Sequence, residues 1–583
     1  MVDKTQVFSN GKDFLANLSE YTLNIVENVL ELDKNNVIDR IWKKDHTVWA
    51  KEPAEISNRL GWLDSTRVMK DALLEIKSFV DEIRESKFNK AVLLGMGGSS
   101  LAPEVFRFTF GVGVGYLDLT VLDSTDPAAV LEIEKDLNIE KTLFIVSTKS
   151  GGTVETISFM KFFYSLVRNK VGEKKAGDHF IAITDPGSGL EEQAKKLNYR
   201  KIFLNDPNIG GRYSALSYFG LVPAALIGMD ILKLINTADK MISFSKETVL
   251  LETGQNSPAW LGAIIGGLAL DGIDKLTFIL SPSIKHFGTW IEQLVAESTG
   301  KLGKGILPVL GSEPQAPENY SNDRLFIYMQ YSGEDMNKEA TDRLENAGHP
   351  VVRIALQDLY EMGGEIFRWE IATVIAGHIL KINPFDQPDV ESAKIRAREM
   401  VAAYQDKGKL PELPLTLESN GLKVYSTTGN TSFENIISSF LSQLLTPANV
   451  SQSKRYFSIQ AYLKPSDKVY DMLKRLSLNI ENQYGVAVTI GFGPRFLHST
   501  GQLHKGDSGN GLFLQLLSDS LRDCQIPDDP LKQGSSISFG VLKTAQALGD
   551  RQALMDAGRN VLTIDLSSDP EKGIERLVEV VGD

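Results

Sequence analysis

The sequence predicts a multidomain α/β protein built on parallel sheets. In residues 90–205, short apolar runs alternate with segments of helical character, the pattern typical of a doubly wound sheet. A second alternating series occupies residues 276–380, and a third occupies residues 422–564. A chain of 583 residues exceeds what one hydrophobic core usually holds, so we expect several domains.

We expect four parts along the chain. A helical N-terminal lead occupies residues 1–87, a first α/β domain residues 88–210, a second residues 211–405, and a C-terminal α/β extension residues 406–583. The Pro-marked stretch 407–416 is the linker that introduces the last part. Three units of similar layout indicate duplication, although the sequence contains no clean repeat. The predicted strands are 91–95, 117–123, 142–147, 180–185, 201–204, 276–280, 325–329, 351–354, 422–426, 456–462, 486–491, 512–517 and 561–564.

Composition narrows the class of protein. A net charge of -13 argues against a general nucleic-acid surface, because binding to a phosphate backbone needs a basic stripe. The single Cys524 excludes internal disulfides and a cysteine-based metal cluster, and it fits a reducing compartment. The N-terminus has no apolar signal region, and no apolar stretch is long enough to span a bilayer. We therefore expect a cytoplasmic protein without nucleic-acid or membrane partners.

Two short polar loops, Gly95–Ser100 and Ser147–Thr153, each follow an apolar run and precede a helical segment. Glycines and hydroxyls at the start of a helix direct N–H groups, hydroxyls and the helix dipole at one spot, which favours an anion. Loops from two neighbouring parallel strands can meet at one sheet edge and share a single phosphate. Neither loop has the P-loop spacing or the dinucleotide-binding spacing. The pair therefore predicts a site for a small phosphorylated metabolite.

Two further segments carry candidate catalytic side chains. Arg212 follows two glycines, and a guanidinium placed there could stabilise a developing oxyanion. Gln293 and Glu297 lie one helical turn apart and share a face, and Glu297 is a plausible general base. From the residues alone, a surface arginine and an exposed glutamate remain the plainer explanations. A third segment, 383–388, has two prolines around an aromatic residue and precedes a helix that carries Lys394.

These segments occur in an order that resembles the signature motifs of glucose-6-phosphate isomerases. The resemblance covers residues 91–394, and it is most similar to the isomerase half of bifunctional transaldolase/glucose-6-phosphate isomerases. It implies consecutive sugar isomerase (SIS-like) domains. No segment resembles a transaldolase lysine site, so we expect no transaldolase activity. The matching segments are Gly97-Gly98-Ser99, Thr148–Thr153, Gly211–Ser214, Glu297–Lys301 and Asn383–Pro388.

The resemblance also implies a mechanism that needs no metal or organic cofactor. Glu297 would move a proton between C2 and C1 through a cis-enediol(ate), and Arg212 would stabilise the charge of that intermediate. Gln293 would orient the sugar, and Lys394 would assist opening of the pyranose ring. The residues implied in holding the sugar phosphate are Gly98, Ser99, Thr148, Lys149, Ser150 and Thr153.

One residue that the family resemblance implies is missing from its usual place in this sequence. Family members carry a ring-opening histidine a few tens of residues after the glutamate, but residues 311–322 contain no histidine. The segment 497–502 resembles the missing piece, so we expect His498 to take this role, with nearby His504 as the alternative. In ordinary members this histidine comes from the neighbouring subunit. The protein is therefore expected to be either a homodimer or a monomer in which the C-terminal extension acts as a built-in partner.

Other functions remain open from the sequence. A dual phosphoglucose/phosphomannose isomerase differs only in the shape of the pocket around the base. A non-catalytic sugar-phosphate-binding SIS module would need the polar loops but not Arg212, Glu297 and Lys394, and all three are present. A glutaminase-dependent amidotransferase would need an N-terminal nucleophilic cysteine, whereas Cys524 is the only cysteine. Isomerisation of glucose 6-phosphate and fructose 6-phosphate is the function that we expect.

Overall fold

The computed structural model describes residues 8–9, 13–247, 256–311, 313–426, 432–448 and 453–582. Within these ranges the chain forms three mainly parallel sheets, one from each alternating series. No helix in the described part of the chain is both long enough and apolar enough to cross a membrane.

The N-terminal lead is mostly helical, as expected, but it also contains two strands that the sequence pattern did not predict. Strand β2 pairs antiparallel with a strand of the second sheet, and β1 pairs with β2. Both strands are short, so they give a weak alternation signal. The elements are β1 (Phe8–Ser9), β2 (Phe14–Asn17), α1 (Thr22–Lys34), α2 (Val37–Trp42), α3 (Ser65–Asp71) and α4 (Leu73–Glu85).

The first sheet is entirely parallel, with the strand order β4-β3-β5-β6-β7. Its central strands are continuous apolar runs because helices cover both faces. The elements are β3 (Lys90–Leu94), α5 (Leu101–Phe110), β4 (Asp118–Leu122), α6 (Pro127–Lys135), β5 (Thr142–Ser147), α7 (Val154–Val171), α8 (Glu173–Ala176), β6 (Phe180–Thr184), α9 (Gly189–Lys196) and β7 (Lys201–Leu204).

The second sheet has the order β1-β2-β11-β10-β8-β9, and its last four strands are parallel. The three-residue strand β9 was not predicted. The elements are α10 (Tyr218–Leu226), α11 (Ile231–Ser245), α12 (Ser257–Leu270), β8 (Lys275–Leu280), α13 (Phe287–Thr299), β9 (Leu307–Val309), β10 (Arg324–Tyr331), α14 (Lys338–Asn346), β11 (Val351–Leu356), α15 (Met362–Ile379) and α16 (Val390–Lys407).

The third sheet has the order β12-β13-β19-β16-β14-β15, and β12 and β13 are its antiparallel edge. A separate two-stranded hairpin, β17 with β18, encloses the polar loop 527–536. The elements are β12 (Leu417–Ser419), β13 (Leu422–Tyr425), α17 (Phe433–Leu441), β14 (Tyr456–Tyr462), α18 (Asp467–Tyr484), β15 (Ala487–Phe492), α19 (Gly501–Gly506), β16 (Gly511–Leu517), β17 (Gln525–Ile526), β18 (Ile537–Ser538), α20 (Phe539–Asp556), β19 (Asn560–Asp565) and α21 (Pro570–Gly582).

All three sheets repeat one parallel arrangement. In chain order, the first strand of each unit has the second strand on one side and the third and fourth on the other, giving β4-β3-β5-β6, β9-β8-β10-β11 and β15-β14-β16-β19. This shared order agrees with the duplication that the sequence layout indicated. The four-part division of the chain itself stays a prediction.

The third unit packs directly on the first two. Phe539 of α20 stacks on Phe159 of α7 with ring centroids 5.7 Å apart. Gly549 of α20 lies so close to α16 that an added Cβ would be 2.6 Å from the backbone nitrogen of Ala397. Helix α20 therefore contacts both preceding units, and this contact brings the C-terminal extension to the edge of the first sheet.

A close backbone approach joins the first polar loop to the segment that carries Arg212. An added Cβ on Gly98 would be 2.0 Å from the carbonyl oxygen of Gly211, whereas an added Cβ on Gly211 would meet nothing within 4 Å. Only glycine at position 98 permits this separation, because the obstructing atom belongs to the backbone.

We expect Gly98→Ala to lower the free energy of unfolding by about 1–3 kcal/mol, because the two backbone segments must separate. Urea denaturation followed by circular dichroism measures this change. Gly211→Ala is the matched control, since it adds the same methyl group on the other side of the contact, in open space. Equal denaturation midpoints for the two variants would show that the contact is not tight.

Candidate functional site

The two polar loops leave β3 and β5, which are adjacent strands at the point where the first sheet reverses its order. Such a point is the usual position of a ligand in a doubly wound sheet. In the second loop, the hydroxyls of Thr148 and Thr153 are hydrogen bonded at 2.9 Å. In the first loop, Ser99 is buried, whereas Ser150 of the second loop is exposed. The structure therefore brings the predicted hydroxyls to one sheet edge.

Lys149 of the second loop is anchored by protein groups. Its ammonium forms an ion pair with Asp185 and donates a hydrogen bond of 2.8 Å to the carbonyl of Pro207. Burial raises the pKa of Asp185 above its ordinary value, against the opposing effect of Lys149. Lys149 thus ties the second loop to the ends of the neighbouring strands.

Arg212 and Glu297 form a buried ion pair. The guanidinium Nη1 lies 3.2 Å from Glu297 Oε1, and the two side chains are 4% and 10% exposed. Four further acceptors hold the guanidinium: Nε donates to Ser298 Oγ at 2.8 Å, Nη2 donates to the carbonyls of Pro384 and Asp386, and Nη1 donates to Gln387 Oε1 at 3.4 Å. A planar guanidinium with this many fixed partners has one orientation, and it presents a constant positive charge beside the carboxylate.

Gln293 links the carboxylate to the third unit. Its Nε2 donates to Glu297 Oε2 at 3.1 Å and to the backbone carbonyl of His498 at 2.7 Å. The first loop lies against the same group, since an added Cβ on Gly97 would be 2.9 Å from Gln293 Nε2 and from the His498 carbonyl oxygen. The polar loops, the carboxylate and the histidine-bearing turn therefore meet at one place.

His498 reaches this place within the same chain. Its Nε2 lies 3.0 Å from Oε1 of Glu155, in the first turn of α7 after the second polar loop. The same Glu155 oxygen accepts a hydrogen bond of 2.7 Å from Gln546 of α20. Burial alone would raise the pKa of Glu155, but the adjacent His498, a backbone hydrogen bond and the charge of Lys394 together hold that pKa below its ordinary value.

The alternative histidine does not lie at the site. The ring of His504 is buried and packs among Tyr456, Phe496 and Phe513 in the core of the third unit. Burial lowers the pKa of His504 well below its ordinary value, so the ring is neutral. The structure encloses His504 in aromatic side chains and does not bring it to the polar loops, so of the two candidate histidines only His498 lies there.

Lys394 lies near the start of α16, after the 383–388 turn whose carbonyls bind Arg212. Its side chain is 43% exposed and its Nζ lies 3.8 Å from Glu391 Oε2. Its charge also helps to hold the pKa of Glu155 down, after the larger effects of burial and His498. Lys394 is thus at the periphery of the site.

Lys301 belongs to the Glu297–Lys301 motif, but the sequence predicted no role for it. Its buried Nζ donates to the backbone carbonyl of Asp386 at 2.5 Å and to Asp386 Oδ1 at 2.8 Å. Arg212 binds the same carbonyl, so two cations fix one turn. Burial and the neighbouring Arg212 lower the pKa of Lys301 to about 8, against the effect of Asp386.

Glu155 and Gln546 were also missed. Glu155 lies two residues after the second loop. An acidic residue in the first turn of a helix is common, so the sequence did not indicate a role in the site. Gln546 gave no signal, because its partner lies 391 residues away in the sequence.

The fold and the site define a class: a doubly wound α/β protein with two polar loops beside a buried carboxylate–arginine pair. Residues 59–305 match the family model described as phosphoglucose isomerase. The chain is 30% identical over 394 residues to the glucose-6-phosphate isomerase of Carboxydothermus hydrogenoformans, covering 58% of this chain and 83% of that protein. It belongs to the phosphoglucose isomerase family.

Other relatives agree with this assignment. A probable glucose-6-phosphate isomerase of Methanococcus maripaludis is 30% identical over 387 residues, covering 59% of this chain and 85% of that protein. Among solved structures, a glucose-6-phosphate isomerase from Chlamydia trachomatis aligns with a TM-score of 0.58 at 17% identity, over 70% of this chain and 92% of that one. A hypothetical protein from Thermus thermophilus aligns with a TM-score of 0.57 at 22% identity, over 68% and 99%. These structures show the fold, which consists of SIS-like α/β domains.

Proposed function

We propose that this chain catalyses the reversible isomerisation of D-glucose 6-phosphate and D-fructose 6-phosphate. The observation that carries the proposal is the buried pair of Glu297 and Arg212, 3.2 Å apart, beside the two polar loops. Proton transfer next to a carbonyl needs a carboxylate base and a fixed positive charge for the oxyanion. A module that only senses sugar phosphates has no need for a buried pair of this kind.

The polar loops would hold the phosphate group. The Gly98 and Ser99 backbone and the hydroxyls of Thr148, Ser150 and Thr153 are suitable donors, and the start of α7 adds its dipole. Lys149 would contribute positive charge from the side, since its ammonium is already bound to Asp185. This anchor sets the distance between the sugar carbons and Glu297.

Ring opening would precede the isomerisation. His498 is suited to move a proton between the ring oxygen and O1, because Glu155 fixes its ring through a 3.0 Å contact. Lys394 would assist by its charge. The buried Oε1 of Gln293 accepts no hydrogen bond from the described residues, so it is available to a sugar hydroxyl.

Glu297 would then take the proton from C2. The electrons of the C2–H bond form the C1–C2 double bond, and the carbonyl oxygen O1 becomes the oxyanion that Arg212 stabilises. The hydroxyl proton of O2 then passes to O1, which moves the negative charge to O2. Return of the carbon-bound proton from Glu297 to C1 gives the ketose, with the carbonyl now at C2 and a hydroxyl at C1. Each group acts in both directions, so the reaction is reversible.

We also propose that one chain supplies every residue of this site. The contact between His498 and Glu155 is made within a single copy, which supports the built-in-partner form over an obligatory dimer. The substrate, the reducing environment implied by the free Cys524 and the acidic composition together support action in the cytoplasm.

Glu297→Gln should reduce the conversion of fructose 6-phosphate in a coupled assay by about 100- to 10,000-fold, the usual contribution of a general base. Glu292→Gln is a matched control, because it makes the same change on the same helix at a carboxyl that accepts a hydrogen bond from Ser499 and is not the partner of Arg212. Burial raises the pKa of Glu292 to about 7, so an uncharged amide there resembles its protonated form. Comparable activity in wild type and Glu297→Gln would overturn the mechanism.

His498→Ala should slow the turnover of ring-closed glucose 6-phosphate by about 100-fold or more, because ring opening loses its acid–base group. Turnover of an open-chain analogue should change little, since it needs no ring opening. His46→Ala, which removes a ring that contacts the Lys51 carbonyl in the N-terminal lead, serves as the control. Equal losses on the two substrates would refute the assignment of His498.

Lys301→Met should lower kcat/KM about tenfold at pH 7, because the turn that holds Arg212 loses its charged anchor. Lys301 is protonated below its pKa of about 8 and loses its charge above it, so wild-type kcat/KM should fall as the pH rises through 8. This decline should be absent in Lys301→Met. Lys304→Met, which removes a nearby ammonium bound to the Leu380 carbonyl, should keep the wild-type pH profile. An identical decline in Lys301→Met would assign the alkaline limb to another group.

A further inference from the structure

A separate crevice, with a volume of about 720 Å³, lies between the third sheet and α6 of the first unit. Its walls include Lys464, which follows β14, the segment Ser518–Arg522, which follows β16, and Ser568, which follows β19. This volume is in the range of sites that bind small metabolites. None of the residues assigned to the isomerase site lines it.

The position of the crevice in its sheet repeats the position of the polar loops in the first sheet. Strands β14 and β16 are neighbours, and the third sheet reverses its order between them, as the first sheet does between β3 and β5. Ligands of doubly wound sheets bind outside the carboxyl ends of the strands at such a reversal. The third unit therefore presents a second ligand position of the same topological kind.

A buried cation lies behind the serine segment that lines the crevice. Lys543 of α20 has a side chain that is 4% exposed, and its Nζ donates to Asp126 Oδ2 at 2.9 Å and to the Ser518 carbonyl at 3.0 Å. The same ammonium lies 3.5 Å from the hydroxyl of Ser520. The serine segment is thus held in one conformation by a charge that protein groups already neutralise in part.

The two sides of the crevice differ in chemistry. The side made by the third unit offers the hydroxyls of Ser518 and Ser520, the cations of Lys464 and Arg522, and one carboxylate, Asp519. The side made by α6 and its flanking residues is mainly acidic, with one cation, and its Glu132 lies 3.0 Å from Lys464. Its charged residues are Asp126, Glu132, Glu134, Lys135 and Asp136. Hydroxyls and cations suit a phosphate, whereas carboxylates accept hydrogen bonds from the hydroxyls of a polyol.

We propose that this crevice is a second binding site, which takes a small phosphorylated sugar or polyol. The phosphate lies toward Ser520 and Arg522, and the hydroxyl groups of the ligand lie toward the carboxylates of α6. The proposal does not depend on the isomerase activity, since it rests on the volume, topology and lining of a separate site.

Occupancy of this site is linked to the isomerase site through α20. Lys543 at the crevice and Gln546 lie one helical turn apart, and Gln546 donates to Glu155, the partner of His498. Gln546 also accepts a hydrogen bond of 2.8 Å from Thr125, the neighbour of Asp126. A ligand that shifts Lys543 or Asp126 therefore acts on the hydrogen bonds that fix Glu155. This coupling rests on the proposed role of His498.

Calorimetric titration with sorbitol 6-phosphate, which has no carbonyl to isomerise, tests the second site. Wild type should bind two molecules per chain. The double variant Lys464→Ser/Arg522→Ser should bind one, and so should Thr153→Glu, which places a carboxylate in the phosphate loop. Arg475→Ser, an exposed arginine of α18 paired with Glu575, is the matched control and should bind two.

One molecule per chain in wild type, or two in the double variant, would overturn the proposal. Lys464 is 39% exposed and Arg522 is exposed, so the double variant should keep the wild-type unfolding midpoint, which a parallel denaturation verifies. The proposed isomerase function is tested separately, by measuring turnover in the absence of sorbitol 6-phosphate. Absence of turnover would refute the isomerase function and not the second site.

Inhibition kinetics test the coupling. Sorbitol 6-phosphate should lower kcat and raise KM in wild type, because it binds both sites, and should only raise KM in Lys464→Ser/Arg522→Ser. A purely competitive pattern in both proteins would show that the second site does not act on His498.

Discussion

The buried guanidinium of Arg212 is the interaction on which the arrangement of the site depends. Taking a charge pair out of water is costly unless the remaining donors are satisfied, and here Ser298, Pro384 and Asp386 satisfy them. Because these partners lie on α13 and on the turn before α16, one side chain sets the position of the Glu297 carboxylate and of the helix that carries Lys394. Lys301 fixes the same turn from the other side.

The third unit is attached around this centre by polar contacts of the same kind. Arg495, three residues before His498, pairs with Glu104 of α5 and lies 3.1 Å from Asp123 at the end of β4. Burial raises the pKa of Asp123 to about 6, against the effect of Arg495, and Glu104 raises it further. Gln502, on the other side of the histidine, donates to the Gly300 carbonyl at 2.9 Å. The turn with His498 is therefore fixed at both ends, to the first unit and to the second.

The sequence predicted those strands and candidate site residues whose signal lies within a short stretch of the chain. The buried strands Thr142–Ser147 and Tyr456–Tyr462 were predicted to the residue. The first contains a continuous apolar run, and in the second apolar residues alternate with Ser458 and Gln460. Strand β9 has only three residues, and β2 joins a sheet more than 300 residues away, so neither has a usable local signal. The same division holds in the site: motifs identified Arg212 and Glu297, whereas the contact of Glu155 with Gln546 is created by folding.

The repeated strand order explains how three similar units serve one site. In the first unit, the loops after the first and third strands are the pair that we propose to hold the phosphate. In the second, the helix after the first strand, α13, carries Glu297, and in the third the turn after the second strand carries His498. The loops of a doubly wound sheet vary freely because the sheet alone determines the fold. The order of the strands therefore sets where a side chain can be delivered, and the loop residues determine which chemistry it performs.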